Sequence, residues 1–186
     1  KEEYGKAIED LSRAIELAPE FGWAREQRGE TYRLMGDYNK SISDLTHIIE
    51  FASREIEREP QKTTAYDSRA SALLLIGADI DGAIEDANHS ITLRLKPSTY
   101  HTRGVAYFLK GELDKALRDF EEAVRLAPAH PLHIYSRGVV RERLGGTEAA
   151  KKDYAQAKHI SPHIAKSTEV QVLLRPPLYT LLQRRR

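Results

Sequence analysis

Apolar residues recur at three- and four-residue spacing along most of the chain, and the clearest stretch is residues 97–128. There Tyr100, Gly104, Tyr107 and Phe108 fall on one stripe of a helix. Pro97 suits a first helical turn, and Lys110-Gly111-Glu112 interrupts the stripe, glycine being the residue that tolerates a left-handed helix end. A second stripe follows, made of Leu113, Ala116, Leu117, Phe120, Ala123 and Val124, and Pro128 stops it. The segment therefore predicts two antiparallel helices joined by a tight turn. Its small residues have a packing role: Gly104 opposite Ala116 and Ala123 lets the helices approach closely, while Phe120 fills the space beside them.

The same pattern recurs. Arg28-Gly29, Arg69-Ala70, Arg103-Gly104 and Arg137-Gly138 are spaced by 41, 34 and 34 residues. A second phrase runs out of phase with the first: Asp10-Leu11, Asp44-Leu45, Asp86-Ala87, Asp119-Phe120 and Asp153-Tyr154. A third closes three of the units, ending at Pro19, Pro128 and Pro162. A helical hairpin of this size cannot bury its apolar face alone, so its neighbours must stack on it.

These residues resemble the tetratricopeptide repeat (TPR) family, a 34-residue helix–turn–helix with Gly, Tyr, Ala and Pro at fixed offsets. The resemblance covers residues 1 to about 162. In 131–162 it rests on Gly138, Gly145, Ala150, Tyr154, Ala157 and Pro162, and in 22–52 on Gly29, Tyr32, Gly36, Tyr38 and Leu45. It implies an all-α, right-handed TPR superhelix, an α-solenoid of antiparallel helix pairs. As one array, the chain divides into a second helix of a truncated repeat (1–19), repeats at 22–59, 63–96, 97–128 and 131–162, a capping helix (163–175) and a tail (176–186). Helix 1–19 lacks a partner helix, so further repeats are expected upstream. The opening Lys-Glu-Glu, without Met or signal-peptide pattern, suits a piece of a longer chain.

Two departures from the repeat carry information. The first Arg-to-Arg interval is seven residues longer than the others, close to two helical turns. No breaker occurs from Phe51 to Glu59, which predicts a prolonged second helix whose charged tip is either a docking spur or a solvated extension. In 63–96 the turn Gly77–Gly82 is one residue too long for the repeat and Leu95 replaces the closing Pro, so that repeat should be the least regular. The family also prefers Leu where this chain has Arg28, Arg69, Arg103 and Arg137. With Asp10, Asp44, Asp86, Asp119 and Asp153 on the second helices, these form either a ladder of structural ion pairs or a row of arginines for an acidic ligand.

The family's ligand surface is lined by the first helices of successive repeats. That implies a peptide-binding groove formed by Trp23, Glu26, Glu30 and Arg33, then Thr64, Asp67, Ser71 and Leu74. It continues with Ser98, His101, Val105 and Phe108, then Leu132, Tyr135, Val139 and Glu142. The first half is acidic and polar, the second apolar and aromatic. The alternative is that Val105, Phe108, Leu132 and Val139 only pack against adjacent helices. One TPR subclass grips the C-terminal carboxylate of chaperone tails with a Lys/Asn/Arg clamp. Here those positions hold Glu26, Glu30, Ser68, Ser98 and Thr102, so a chaperone C-terminal tail is not the expected partner. An apolar or mixed peptide is, with basic residues opposite Glu26, Glu30 and Asp67.

Beyond Pro162, residues 163–175 read as a further first helix that covers the last apolar face, with Val172 where Gly would sit. Pro176-Pro177 stops it. The apolar Leu178–Gln183 and terminal Arg184-Arg185-Arg186 have three alternative fates: folding back onto the stack, contacting a second copy, or a flexible end.

Composition narrows the rest. The 186 residues carry 29 Lys+Arg against 28 Asp+Glu, a net charge of +1, which gives no global case for nucleic acid. With Cys absent, disulfides and thiolate metal sites are excluded,. No apolar run approaches a membrane span, and no cofactor is called for. His130/His133 flank Pro131 and His159/His163 straddle Pro162, so neither pair sits on one helix face as metal ligands would. No phosphate loop or catalytic triad pattern is present, so no enzyme activity and no metal site are expected. The reading is a cytoplasmic protein–protein interaction scaffold or adaptor that holds a peptide or helix of a partner in its groove. The alternatives are a self-assembling module, a homo-oligomer through its terminal faces, and a regulatory segment of a larger protein.

Overall fold

The computed structural model describes residues 2–20, 22–166 and Leu178. Among these residues there are nine α-helices and one short 3-10 turn, and no strand. They fall into two compact units, one running to Asp79 and including the segment from Pro177, the other spanning Ile80–Pro176. The boundary lies inside the 63–96 repeat, at its turn.

The first unit holds α1 (Glu2–Leu17), α2 (Gly22–Met35), α3 (Tyr38–Arg58) and α4 (Thr63–Ile76). Each packs against the next in sequence. At 21 residues α3 is the long helix, and Glu59 caps it, its N–H donating to the Glu55 carbonyl. The surplus in the first interval is thus helix. Ala52 on it is buried, Glu55 and Ile56 are partly buried, and only the tip beyond is exposed. The core of this unit is built from Ala24, Leu45, Ile48, Ala52, Ala70 and Ala72 with Tyr66, whose hydroxyl donates to the Pro60 carbonyl at 3.3 Å.

The second unit holds α5 (Ile80–Leu93), α6 (Pro97–Leu109), α7 (Leu113–Leu126), α8 (Pro131–Arg143) and α9 (Thr147–Ile160). Pro97 and Pro131 open α6 and α8, where the missing N–H costs no hydrogen bond,. Phe120, Ile134, Ala116, Ala123 and Val140 are fully enclosed. The close approach expected at Gly104 is present. A Cβ there would lie 2.9 Å from the Phe120 ring, and one on Gly138 would lie 2.9 Å from Tyr154. Gly29 has ordinary clearance, its nearest neighbours at 3.5 Å.

The repeat is visible in the backbone. Gly36, Gly77, Gly111 and Gly145 have φ of 81°, 74°, 77° and 86°, a conformation open to glycine at little cost. Each stands eight positions after one of the recurrent arginines. One expectation needs correction. Instead of a helix beginning at 163, the chain turns at Pro162-His163 and makes a 3-10 turn over Ile164–Lys166. The Ser161 N–H closes α9 on the Ala157 carbonyl, and the Ile164 N–H bonds back to the Ser161 carbonyl, a three-residue step that tightens the backbone out of α-helical geometry,. Ile164 is buried against Ile134 and Ala157, so this turn covers the start of α8 and the end of α9. The remainder of the expected capping helix, 167–175, lies outside the described residues.

Candidate functional site

The first unit contains a cleft of about 510 Å³. One wall comes from the start of α2, with Trp23, Arg25 and Glu26. The long α3 supplies Phe51, Ala52 and Glu55 along another, and α4 contributes Thr64, Ser68 and Leu75. Its floor is apolar, made by Leu45, Ile48 and Ala72. Trp23 stands at the rim with 55% of its surface exposed, and Thr64 and Ser68 are also exposed. The seven-residue surplus in α3 matters here, because Phe51–Glu55 extends the wall where an ordinary repeat helix would be ending.

The charges around the cleft are of both signs. Lys62 donates to the Glu55 carboxylate across the turn between α3 and α4. Arg25 Nη1 lies 3.9 Å from Asp44 Oδ1, while Arg25 Nε is buried without a hydrogen-bond partner. Burial holds His47 below the usual histidine range, and the charge of Arg25 adds to the effect. The cleft thus offers an apolar floor, an aromatic rim, the Arg25 side chain, and the carboxylates of Glu20, Glu26 and Glu55. This combination suits a peptide, whose side chains need apolar room and whose carbonyls need donors.

The groove residues read from the sequence are distributed as follows. Trp23, Glu26 and Thr64 line the cleft. Glu30 and Arg33 pair with each other on α2, and Arg33 is buried. Asp67 and Ser71 are partly buried on α4, and Leu74 is buried. In the second unit Val105 and Val139 are 6% and 4% exposed, packed into the helices. The Phe108 ring lies 5.6 Å from the Arg143 guanidinium, and the Tyr135 ring 4.8 Å from that of Tyr154. Leu132 and Tyr135 pack on the Ile134 cluster. Glu142 accepts from the Tyr154 hydroxyl at 2.9 Å, which together with burial raises the Tyr154 pKa. His101 Nε2 lies 3.0 Å from Ser136 Oγ, among the rings of Phe120 and His133. Burial lowers His101 to about 3 and His133 to about 4, with neighbouring histidines adding to both shifts.

Sequence reasoning missed His47, Phe51 and Glu55 because inward offsets carried over from the family count only the first helix of each pair; Arg25 is on a first helix but off those offsets, and Lys62 lies in the turn before α4. The long interval was the available signal for the α3 wall.

Arg28, Arg103 and Arg137 each meet an aspartate of the following helix as a bidentate pair. Arg28 donates to Asp44 at 2.8 and 2.7 Å, Arg103 to Asp119 at 2.8 and 2.7 Å, and Arg137 to Asp153 at 3.0 and 2.6 Å. The hydrogen bond that Arg28 donates to Asp44 is the main reason the Arg28 pKa is raised, and the one to Asp119 does the same for Arg103. Arg69 donates to Ser53 at 3.0 Å, and Asp86 is buried on α5. Asp10 is exposed. Among the described residues no cluster of three His, Cys, Asp or Glu is arranged to hold a metal. No helix there is long and apolar enough to cross a membrane.

The hairpins, their glycine turns and their ion pairs define an all-α protein of the helical-repeat solenoid class. A tetratricopeptide repeat profile matches residues 97–130. Tetratricopeptide repeat protein 36 of Homo sapiens is 32% identical over 111 residues, 57% of this chain and 58% of that protein. Its counterpart in Bos taurus is 29% identical over 123 residues, 63% of this chain and 65% of the relative. Tetratricopeptide repeat protein 13 of Homo sapiens is 26% identical over 154 residues, 83% of this chain and 18% of the relative. The chain spans less than two thirds of the length of each. Among solved structures, TTC0263, a thermophilic TPR protein of Thermus thermophilus, superposes with a TM-score of 0.65 at 20% identity, covering 92% of this chain and 91% of that one. MamA gives 0.54 at 24% identity, with 88% and 92% covered. YrrB, described as a TPR protein with an unusual peptide-binding site, gives 0.53 at 17% identity, with 93% and 82% covered. Residues 97–130 thus match the tetratricopeptide repeat itself, and the chain as a whole is similar to tetratricopeptide repeat proteins in sequence and fold.

Proposed function

We propose that the protein is an interaction scaffold whose first unit binds a peptide segment of a partner protein in the cleft between α2, α3 and α4. The observation that carries this reading is the combination of an open apolar floor with an exposed rim tryptophan. Glu20 and Glu26 favour a ligand with basic residues beside its apolar anchor. Sharing a fold with YrrB agrees with the class of function, while the site itself rests on this chain's own residues.

The test uses Trp23, the sole tryptophan of the chain, as reporter. Peptides selected against the whole protein from a random display library should be enriched in apolar and basic residues and should shift Trp23 emission. Ser68→Trp, which fills the cleft from an exposed position, should remove that binding with helical content unchanged; the added indole requires calorimetry as its readout. Selected peptides that bind Ser68→Trp as tightly as the wild type would place the ligand surface elsewhere.

A further inference from the structure

Among the carboxylates that line the cleft, Glu55 shows what kind of group the site takes. Its side chain is 12% exposed, and it accepts a hydrogen bond from the Lys62 ammonium, which lines the cleft as well. His47, Phe51 and Glu55 stand at i, i+4 and i+8 on α3, one stripe of the helix, so Glu55 follows the Phe51 ring along the wall,. Another cation near Glu55, Arg58 at 3.8 Å, is 76% exposed and does not line the cleft. Leu178 is buried against Leu45, Ile48, Ala72 and Ile76 without lining the cleft, so the floor beside Glu55 stays open.

The backbone of Lys62 is fixed independently of its ammonium. Its N–H donates to the Glu59 carbonyl at 2.9 Å, and its carbonyl accepts from the Ala65 N–H at 3.0 Å. The side chain is 36% exposed and rides on a flexible stem, so the ammonium can swing into water while the turn stays in place,. A largely desolvated carboxylate needs a cation, and lysine meets that need only as a point charge. A guanidinium presents a planar fork that pairs with both carboxylate oxygens and is less strongly hydrated than an ammonium. The chain itself uses that fork at Arg28–Asp44, Arg103–Asp119 and Arg137–Asp153.

We propose that Glu55 is the specificity-determining residue of this cleft: it takes an arginine of the bound segment, which displaces the Lys62 ammonium that holds the position in the free protein. The proposal rests on the peptide-binding reading above and adds to it the selecting residue and the motif it selects. Ile48 on the apolar floor and Glu55 are seven positions apart on α3, about 10 Å of helix. That is the reach of about three residues of extended peptide. The bound segment therefore carries an arginine about three residues from its apolar anchor. An internal occupant reduces the affinity for an external one by the fraction of molecules left open, so a Lys62 ammonium seated nine-tenths of the time weakens arginine binding about tenfold.

The random display selection, run in parallel on full-length wild type, Glu55→Gln and Lys62→Met, tests this, with circular dichroism to establish equal helical content. Peptides selected on wild type should be enriched in arginine about three residues from an apolar residue. Those selected on Glu55→Gln should keep the apolar enrichment and lose that of arginine. One wild-type-selected peptide and its analogue with citrulline, the uncharged isostere, in place of arginine are then the calorimetric probes. Lys62→Met should bind the arginine form about tenfold more tightly than wild type and the citrulline form equally. The change from arginine to citrulline should weaken binding to wild type and leave binding to Glu55→Gln unaltered.

Arginine enrichment that survives in Glu55→Gln would move the selecting charge elsewhere and overturn the proposal. Arginine peptides bound no more tightly by Lys62→Met than by wild type would make Lys62 a clasp of the turn alone and overturn the displacement. Selected peptides without arginine that bind wild type and fail on Ser68→Trp would leave the cleft reading intact and sink this one alone. Arginine peptides that bind Ser68→Trp as tightly as wild type would sink both.

Discussion

Replacing Asp119 by Ala tests what the recurrent ion pairs contribute. Asp119 is 4% exposed and accepts from Arg103 Nε and Nη2 at 2.8 and 2.7 Å. Removing one partner of a buried pair costs about 3–5 kcal/mol, because the other charge is left without its counter-ion. Arg103 is not stranded completely. Its Nη1 donates to Asn88 at 2.7 Å, and its guanidinium lies 5.5 and 6.0 Å from the Tyr100 and Tyr107 rings. These contacts put the expected loss at the low end, about 3 kcal/mol. Asp119→Ala should therefore lower the urea midpoint without changing the slope, followed by far-ultraviolet circular dichroism. The double variant Arg103→Leu/Asp119→Leu removes both charges and supplies apolar volume, so it should lie within about 1 kcal/mol of wild type. Recovery in the double variant is the decisive part, since a structural pair predicts strong coupling between the two sites. A loss below about 0.5 kcal/mol for Asp119→Ala, or additive losses in the pair, would refute the structural role.

Two further outcomes follow from the second unit and its counterpart in the first. His101 and His133 are held neutral, at about 3 and about 4 against an ordinary 6.5, while the unfolded chain takes up protons below that ordinary value. Stability should be level above it and fall as pH drops through the window down to those folded values, by about 1.4 kcal/mol per pH unit for each fully shifted ring. Urea midpoints taken across the upper part of that window, where few carboxylates titrate, should depend less on pH in His101→Gln than in wild type; equal slopes would show that the ring is not held neutral. Gly104→Ala should destabilise by about 1–3 kcal/mol, because its methyl would meet the immobile Phe120 ring at 2.9 Å,. Gly29→Ala, with 3.5 Å of clearance, should gain about 0.5–1 kcal/mol from helix propensity,. Thermal melts showing the two variants shifted alike would contradict that assignment of close approach.

The helices were legible in the sequence because the same local rules recur in each hairpin. The Gly111 turn, the Pro97 start and the Arg103–Asp119 offset are local features, fixed within about 16 residues, and the chain states each of them several times over. The end of the last repeat was less legible. Residues after Pro162 continue an apolar spacing of three and four, yet the chain takes a 3-10 turn at Ile164–Lys166, where seating Ile164 against Ile134 and Ala157 decides the backbone. The candidate site was legible only in part. Trp23, Glu26 and Thr64 follow from the position of first helices in a repeat. Phe51, Glu55 and Lys62 depend on how far α3 runs past its neighbours. Spacing along the chain carries no information of that kind. Val105 and Val139 show the converse: a repeat offset assigns them to a ligand surface, but their side chains are consumed by packing.

The lengthened α3 ties these observations together. It has 21 residues against 14 in both α2 and α4, and seven residues add about 10 Å of helix. A bare extension of that length would expose Ala52 and Ile56 to water and leave a charged tip to fray. Instead Ala52 is buried, Ile56 is partly covered, and the Glu55 carboxylate is tied to Lys62 at the start of α4. The extension is thus fastened to the start of α4 by a pair that itself lines the cleft. One insertion lengthens a helix without breaking the repeat, because seven residues nearly complete two turns and return the same face to the core. The added surface becomes the wall of a cleft that a regular hairpin of this array would not have. A shift of three or five residues would instead rotate Ala52 and Ile56 away from the core. The near-integral number of turns is what allows α3 to lengthen and the repeat to keep its core face.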